Sequence, residues 1–277
     1  MSLIQALKRF DSTNLRLRII SASIMAPGAL LAVYFGGLIY SAAVAGVVTI
    51  GFYEWSHIVA PSSKPQTVGI ACSSLVISLI ATVLLSPLWG LALLGASFLV
   101  ALLIALRQRT PRPAAFAFGV LYMGLSGIAL LEVRADAQNG AAFVFYLLAV
   151  VWSTDIGAFL TGSLLGGPKL APKISPKKTW TGFFGGLIAA VTIGTLVARA
   201  LGAELPEAAF VFSLILSGMT QGGDLFESYV KRRAGVKESG DLIPGHGGIL
   251  DRIDGLVFAA IFAFLFKVSF GGVVPWW

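Results

Sequence analysis

Nine apolar runs, each close to the length of a membrane-crossing helix, leave this chain few folds to choose from. They fall near 19–38, 41–60, 68–86, 88–106, 114–131, 141–162, 181–201, 207–223 and 249–270. About 20 helical residues cross a hydrocarbon core, where only helices and closed barrels satisfy their own backbone. With 57% of its 277 residues hydrophobic and 12% charged, the chain has too little polar surface to cover a water-soluble fold. The expected fold class is all-α, a polytopic integral membrane protein of about nine transmembrane helices. We read 1–277 as a single membrane domain, with 1–131 as scaffold helices and 141–270 as the helices and loops that carry the chemistry. Lys8, Arg9, Arg16 and Arg18 precede the first run as in a signal peptide. That run is too long for a signal core and lacks a cleavage site, so it reads as a retained span. The one cysteine, Cys72, excludes an intramolecular disulfide.

Charge sets the expected topology. With the N-terminus in the cytosol and sides alternating, seventeen of the twenty Lys and Arg residues fall on the cytosolic side. Only Arg134, Arg199 and Lys267 fall on the other. This is the bias of the positive-inside rule, and merging or splitting one span would spoil it. The C-terminus then lies on the opposite side. The net charge of +7 is thus mostly topology, with some affinity for anionic membrane lipids, and calls for no nucleic acid. No internal repeat is visible.

Ionisable groups inside spans are functional candidates by default. Asp155 lies in the sixth run, Asp224 and Glu227 close the eighth, and Asp251 and Asp254 open the ninth. All five belong at the cytosolic ends of their helices. Each of the last two pairs is spaced by three residues and so shares a helix face. Two such pairs suit a hard cation with oxygen ligands, Mg²⁺ above all; the same carboxylates would also serve a proton relay or a cation path. The loop after the sixth run carries Lys169, Lys173, Lys177 and Lys178 into a helix, with Ser175 as a further hydroxyl and Thr179 placed to cap that helix. Lys231, Arg232 and Arg252 lie beside the carboxylates, where guanidinium groups can grip phosphate. Gly245, Gly247 and Gly248 let the chain around His246 turn tightly. Each element also has a plainer reading: topology for the lysines, helix pairing for Asp155, a structural hydrogen bond for His246. Glu54 and His57 read as a structural polar pair.

The segment from Ser228 to Asp254 resembles the hallmark motif of the phosphatidate cytidylyltransferases, also called CDP-diacylglycerol synthases. Ser228, Lys231-Arg232, Lys237-Glu238, Pro244-Gly245-His246-Gly247-Gly248 and Asp251-Arg252-Ile253-Asp254 stand at the motif's positions. Gly223–Glu227 and Ser175–Trp180 with Gly182 resemble further family motifs. Glu238 replaces the usual Asp, and Thr181 replaces the Glu that usually follows the tryptophan. The resemblance implies a homodimer in a bacterial inner membrane that makes CDP-diacylglycerol and pyrophosphate from CTP and phosphatidic acid with Mg²⁺. Asp224 and Asp251 would hold the metal, with Glu227, Asp254 and Asp155 nearby. Lys177, Lys178, Lys231, Arg232 and Arg252 would neutralise phosphates, and Ser175, Thr179, Ser228, His246, Gly247 and Gly248 would line the substrate. A lipid kinase or a cytidylyltransferase for another lipid phosphate shares these needs. An ion-coupled transporter would instead place its acids near mid-membrane, often with repeat symmetry.

Overall fold

A computed structural model describes residues 12–136, 139–243 and 247–270. His246, with Pro244 and Gly245, lies outside them, as do Lys8 and Arg9. Nine helices are present among the described residues: α1 Ser12–Phe35, α2 Gly37–Val59, α3 Pro65–Leu84, α4 Pro87–Arg107, α5 Pro113–Arg134, α6 Gly140–Leu165, α7 Trp180–Ala200, α8 Pro206–Ala234 and α9 Leu250–Phe270. Eight are long and apolar enough to cross a membrane, and α1 adds a further apolar stretch, Ile20–Phe35. The protein is an integral membrane protein. Large apolar side chains such as Leu38, Leu84, Leu88 and Ile188 stand exposed on its flanks. In water that surface would be untenable; against acyl chains it has no cost.

Local chemistry explains the helix boundaries. Proline opens α3, α4, α5 and α8, where its missing N–H is not needed. Ser86 caps α4 through the Trp89 amide at 3.5 Å. Gly36, at φ 61°, ends α1 and admits α2 at once, because only glycine takes that backbone freely. α5 is the central helix, packed against α2, α3, α4, α6 and α9. Phe52, Phe116, Met123, Phe143, Tyr146 and Leu147 form the core around it.

α6 and α7 approach closely through small residues, as membrane helices do in the absence of a hydrophobic drive between them. A Cβ on Gly185 would run into the Thr161 side chain, and one on Gly157 into Ala189. Between these helices the sequence led us to expect a plain loop. Instead Lys169–Ala171 (β1) and Ser175–Thr179 (β2) form a small antiparallel hairpin, pairing Lys169 with Thr179 and Ala171 with Ser175. A run interrupted by two prolines and rich in lysine hid it. The C-terminal half of α6, the hairpin, the end of α8 and the start of α9 meet at one end of the bundle.

Candidate active site

At that end opens a cleft of about 990 Å³, within the usual range for small-molecule sites. Its walls carry Asp155 from α6, Lys169, Lys177, Lys178 and Thr179 from the hairpin, Gln221, Asp224 and Lys231 from α8, and Asp251, Arg252 and Asp254 from α9. Lys237, Glu238, Asp241 and Gly247 come from the loop between α8 and α9.

β2 runs directly into α7, and Thr179 caps that helix by accepting from the Gly182 amide at 3.1 Å. Thr181, one residue past Trp180, donates to the Gly166 carbonyl and meets Thr179 Oγ1 at 2.9 Å. Its hydroxyl therefore ties the hairpin base to the end of α6, a short-range role that a longer acidic side chain would not fill in the same way. The hairpin presents Lys178 to Asp224 on α8, Nζ to Oδ2 at 2.5 Å. Ser228 donates to the other Asp224 oxygen at 3.4 Å.

The α8 helix continues to Ala234, past the point where apolar sequence ends. That extra length places Lys231 one turn beyond Glu227, at 2.6 Å from its Oε2, and 2.5 Å from Asp251 Oδ1 on α9. Asp251 Oδ2 accepts from the Ser239 and Gly248 amides at 2.9 and 3.0 Å. Both of its oxygens are thus engaged by the protein. Asp155, Asp224 and Asp254, from three different helices, lie near enough to one another for their charges to interact. Asp224 and Asp254 join Asp155 on the cleft wall, while Glu227 and Asp251 enclose Lys231; Glu227 also lies against Asp254, so the two groups are in contact. Among the described residues, Glu227 Oε1 is buried with no hydrogen-bond donor.

Not every expected site residue reaches the cleft. Arg232 is exposed and binds backbone carbonyls, Ile174 and Val236, both at 3.3 Å, tying α8 to the hairpin. Ser175 and Ser228 lie outside the cleft wall, as does Gly248. Gly248 is instead a packing position: a Cβ there would collide with Ser239 Oγ and a Glu54 oxygen.

That Glu54 oxygen marks what the sequence reading missed. Glu54 is not paired with His57, whose Nδ1 lies 2.8 Å from the Tyr53 carbonyl on the exposed side of α2. Glu54 is 5% exposed and points the other way. Its Oε1 accepts from the Ile249 amide at 2.9 Å, and its Oε2 from the Leu250 amide at 2.7 Å and Ser239 Oγ at 3.0 Å. A buried carboxylate is tolerable here because three donors and the positive end of α9 surround it. It caps α9 from another helix and anchors the loop that carries Lys237 and Gly247. An acid inside an apolar run was the available signal. Glu54→Gln replaces one acceptor oxygen with a donor facing donors, a loss on the order of 1–3 kcal/mol. Hydrogen exchange at Ile249 and Leu250 is expected to accelerate more than in the α5 core; unchanged exchange there would refute the capping role.

The fold and cleft together define a polytopic membrane protein whose acidic and basic side chains converge on one rim of the bundle. Residues 16–270 match the cytidylyltransferase family, and the chain belongs to that family. It is 43% identical over 265 residues to a Brucella melitensis protein named phosphatidate cytidylyltransferase, covering 93% of this chain and 95% of that one. A Bacillus subtilis protein of the same name is 40% identical over 151 residues, 54% of this chain and 56% of that protein. A Haemophilus influenzae protein, again so named, is 38% identical over 155 residues, 53% of this chain and 54% of its own length.

Proposed function

We propose that the protein transfers the cytidylyl group of CTP to phosphatidate, releasing pyrophosphate and leaving CDP-diacylglycerol in the membrane. The observation that carries this reading is the Lys178–Asp224 pair on a cleft lined by further cations, Lys169, Lys177, Lys237 and Arg252, at the end of an apolar bundle. Such a place admits a water-soluble triphosphate and a lipid headgroup together. The lipid's phosphate oxygen attacks the α-phosphorus of CTP, and the bond from that phosphorus to the bridging oxygen of the β-phosphate breaks. The phosphate monoester is already a nucleophile, so the residues act by positioning and by neutralising charge, as in phosphoryl transfer generally. Lys177, Lys178 and Arg252 face the phosphates. Lys231 is committed to two carboxylates and holds α8 to α9.

Mg²⁺ belongs to the same proposal. Among the described residues no three His, Cys, Asp or Glu side chains form a ready-made metal cage. Mg²⁺ does not need one, since it takes one or two carboxylates and completes its shell with water and substrate phosphates. The donor set fits a hard cation, being oxygen only: Asp155, Asp224 and Asp254 line the cleft, with Asp224 already meeting Lys178 and Ser228, and Asp251 meeting Lys231 and two amides. Bound there, the ion would supply neutralising charge. The cytosolic orientation of the cleft, residence in a bacterial inner membrane and homodimer formation complete the proposal, the first supported by the concentration of Lys and Arg at that end.

Purified protein incubated with CTP labelled at the α-phosphorus and phosphatidate is expected to yield labelled CDP-lipid and one pyrophosphate per turnover. Transfer of the γ-phosphate to a lipid, or CTP left intact, would overturn the proposal.

A further inference from the structure

On the side of α8 turned away from the cleft lies a second concavity, of about 760 Å³, between α2, α5 and α8. Trp55, Phe118, Phe226, Tyr229 and Val230 form its apolar walls, and it shares no wall residue with the cleft. The walls are preset. Trp55 Nε1 donates to the Ala115 carbonyl at 2.9 Å, and its ring stacks on Phe226 with centroids 6.2 Å apart. Phe118 and Tyr229 nevertheless remain 42% and 41% exposed.

An apolar hollow on a membrane protein is by itself ordinary lipid-facing surface. The mouth of this one is not ordinary, because Arg112 and Arg233 stand at it together. Arg112 Nη2 donates to the Arg233 carbonyl at 3.3 Å. Arg233 Nη1 donates to the Tyr229 hydroxyl at 3.0 Å, with its guanidinium 5.7 Å from that ring's centroid. Among the described residues neither arginine is ion-paired with a carboxylate. Arg112 also holds a left-handed backbone, φ 51°, immediately before Pro113 opens α5. A non-glycine residue kept in that region is a strain that the surrounding structure must enforce. Here it fixes a cation beside its neighbour with no acid to balance either.

We infer that this groove binds an anionic glycerophospholipid of the surrounding bilayer, at a site separate from that of the substrate. One acyl chain lies along the aromatic wall, and the headgroup phosphate takes hydrogen bonds from Arg112 and Arg233. Guanidinium groups suit phosphate oxygens, and basic residues near a membrane surface are drawn to anionic lipid. The site has a consequence for the cleft. α8 turns Phe226, Tyr229, Val230 and Arg233 to the groove and Asp224 and Lys231 to the cleft. A lipid seated in the groove therefore braces the helix that presents Asp224 to Lys178. The bracing effect rests on the reaction proposed above; the binding itself does not.

The full-length protein in nanodiscs is labelled with phosphatidylglycerol bearing a photoreactive acyl chain, and the modified peptides are mapped. Labelling is expected at 112–118 and 226–233, at least fivefold above that from a phosphatidylcholine probe of the same chain. Arg233→Gln leaves the carbonyl that receives Arg112 in place and is expected to erase that preference, while Arg233→Lys keeps most of it. Equal labelling by the zwitterionic probe, or a preference untouched by Arg233→Gln, would show plain lipid-facing surface and overturn the site. Labelling by a phosphatidate probe alone would make the groove a substrate route and overturn the separate-site assignment. If the anionic preference holds while no CDP-lipid forms in any arm, the proposed reaction fails and the lipid site survives.

Discussion

Asp224→Asn is expected to lower turnover of CTP on the order of 10²–10³-fold, the range seen when one preorganised electrostatic group is removed from a reaction site. Stability is expected to change little. Asp224 and Lys178 keep 34% and 25% of their side chains exposed, so their ion pair contributes less than about 1 kcal/mol to folding. The substitution thus separates chemistry from structure. Asn still accepts from Ser228, but it neither orients Lys178 nor offers the charge that a cation on the cleft floor requires. Pairing it with Lys178→Met gives a sharper measurement. If Asp224 acts partly by holding Lys178, the double variant will be less impaired than the product of the two single effects predicts. A rate near normal for Asp224→Asn would remove this residue from the site.

Lys231→Met is expected to act on stability as much as on rate. Glu227 and Asp251 retain 1% and 7% side-chain exposure, and Lys231 is the cation between them. Removing it leaves two carboxylates facing each other out of water, a loss of about 3–5 kcal/mol. Unfolding in detergent is therefore expected at markedly lower denaturant or temperature. Replacing Glu227 as well, as Lys231→Met with Glu227→Met, is expected to recover much of that stability, since a buried pair exchanged for apolar groups of similar size is often neutral. Asp251 keeps its two amide donors in either case. A single variant as stable as the parent would mean that the buried pair contributes nothing, and the double variant would then bring no recovery.

These two sites show how far residue spacing can be taken. Two carboxylates three positions apart do share a helix face, yet they are offset around it by about 60°. That offset suffices for Asp224 to meet the hairpin while Glu227 meets Lys231, and for Asp251 and Asp254 to part in the same manner. Spacing alone therefore suggested two matching acid pairs, whereas in the folded chain Lys231 sits between Glu227 and Asp251, and Glu227 borders Asp254. The end of α8 was not legible in hydropathy for a related reason. Hydropathy falls away at Asp224, but backbone hydrogen bonding continues to Ala234, and the last polar turns are what place Lys231 and Arg233. The hairpin at 169–179 escaped notice because its strands are too short and too charged to show an alternating pattern.

The class of fold, eight of the nine expected spans, and the end of the bundle where polar residues gather were all determined by the sequence alone. Each follows from hydropathy and charge read over about 20 neighbouring residues, and transfer to a membrane depends on little else. Tertiary structure decided which carboxylate faces which cation. It also turned Glu54, 196 positions before Leu250, into the cap of the helix that carries Asp251 and Asp254. Such pairings depend on how each helix is rotated against its neighbours and on where a connecting loop closes. Side-chain packing across the whole bundle sets both, and no local window of sequence contains it.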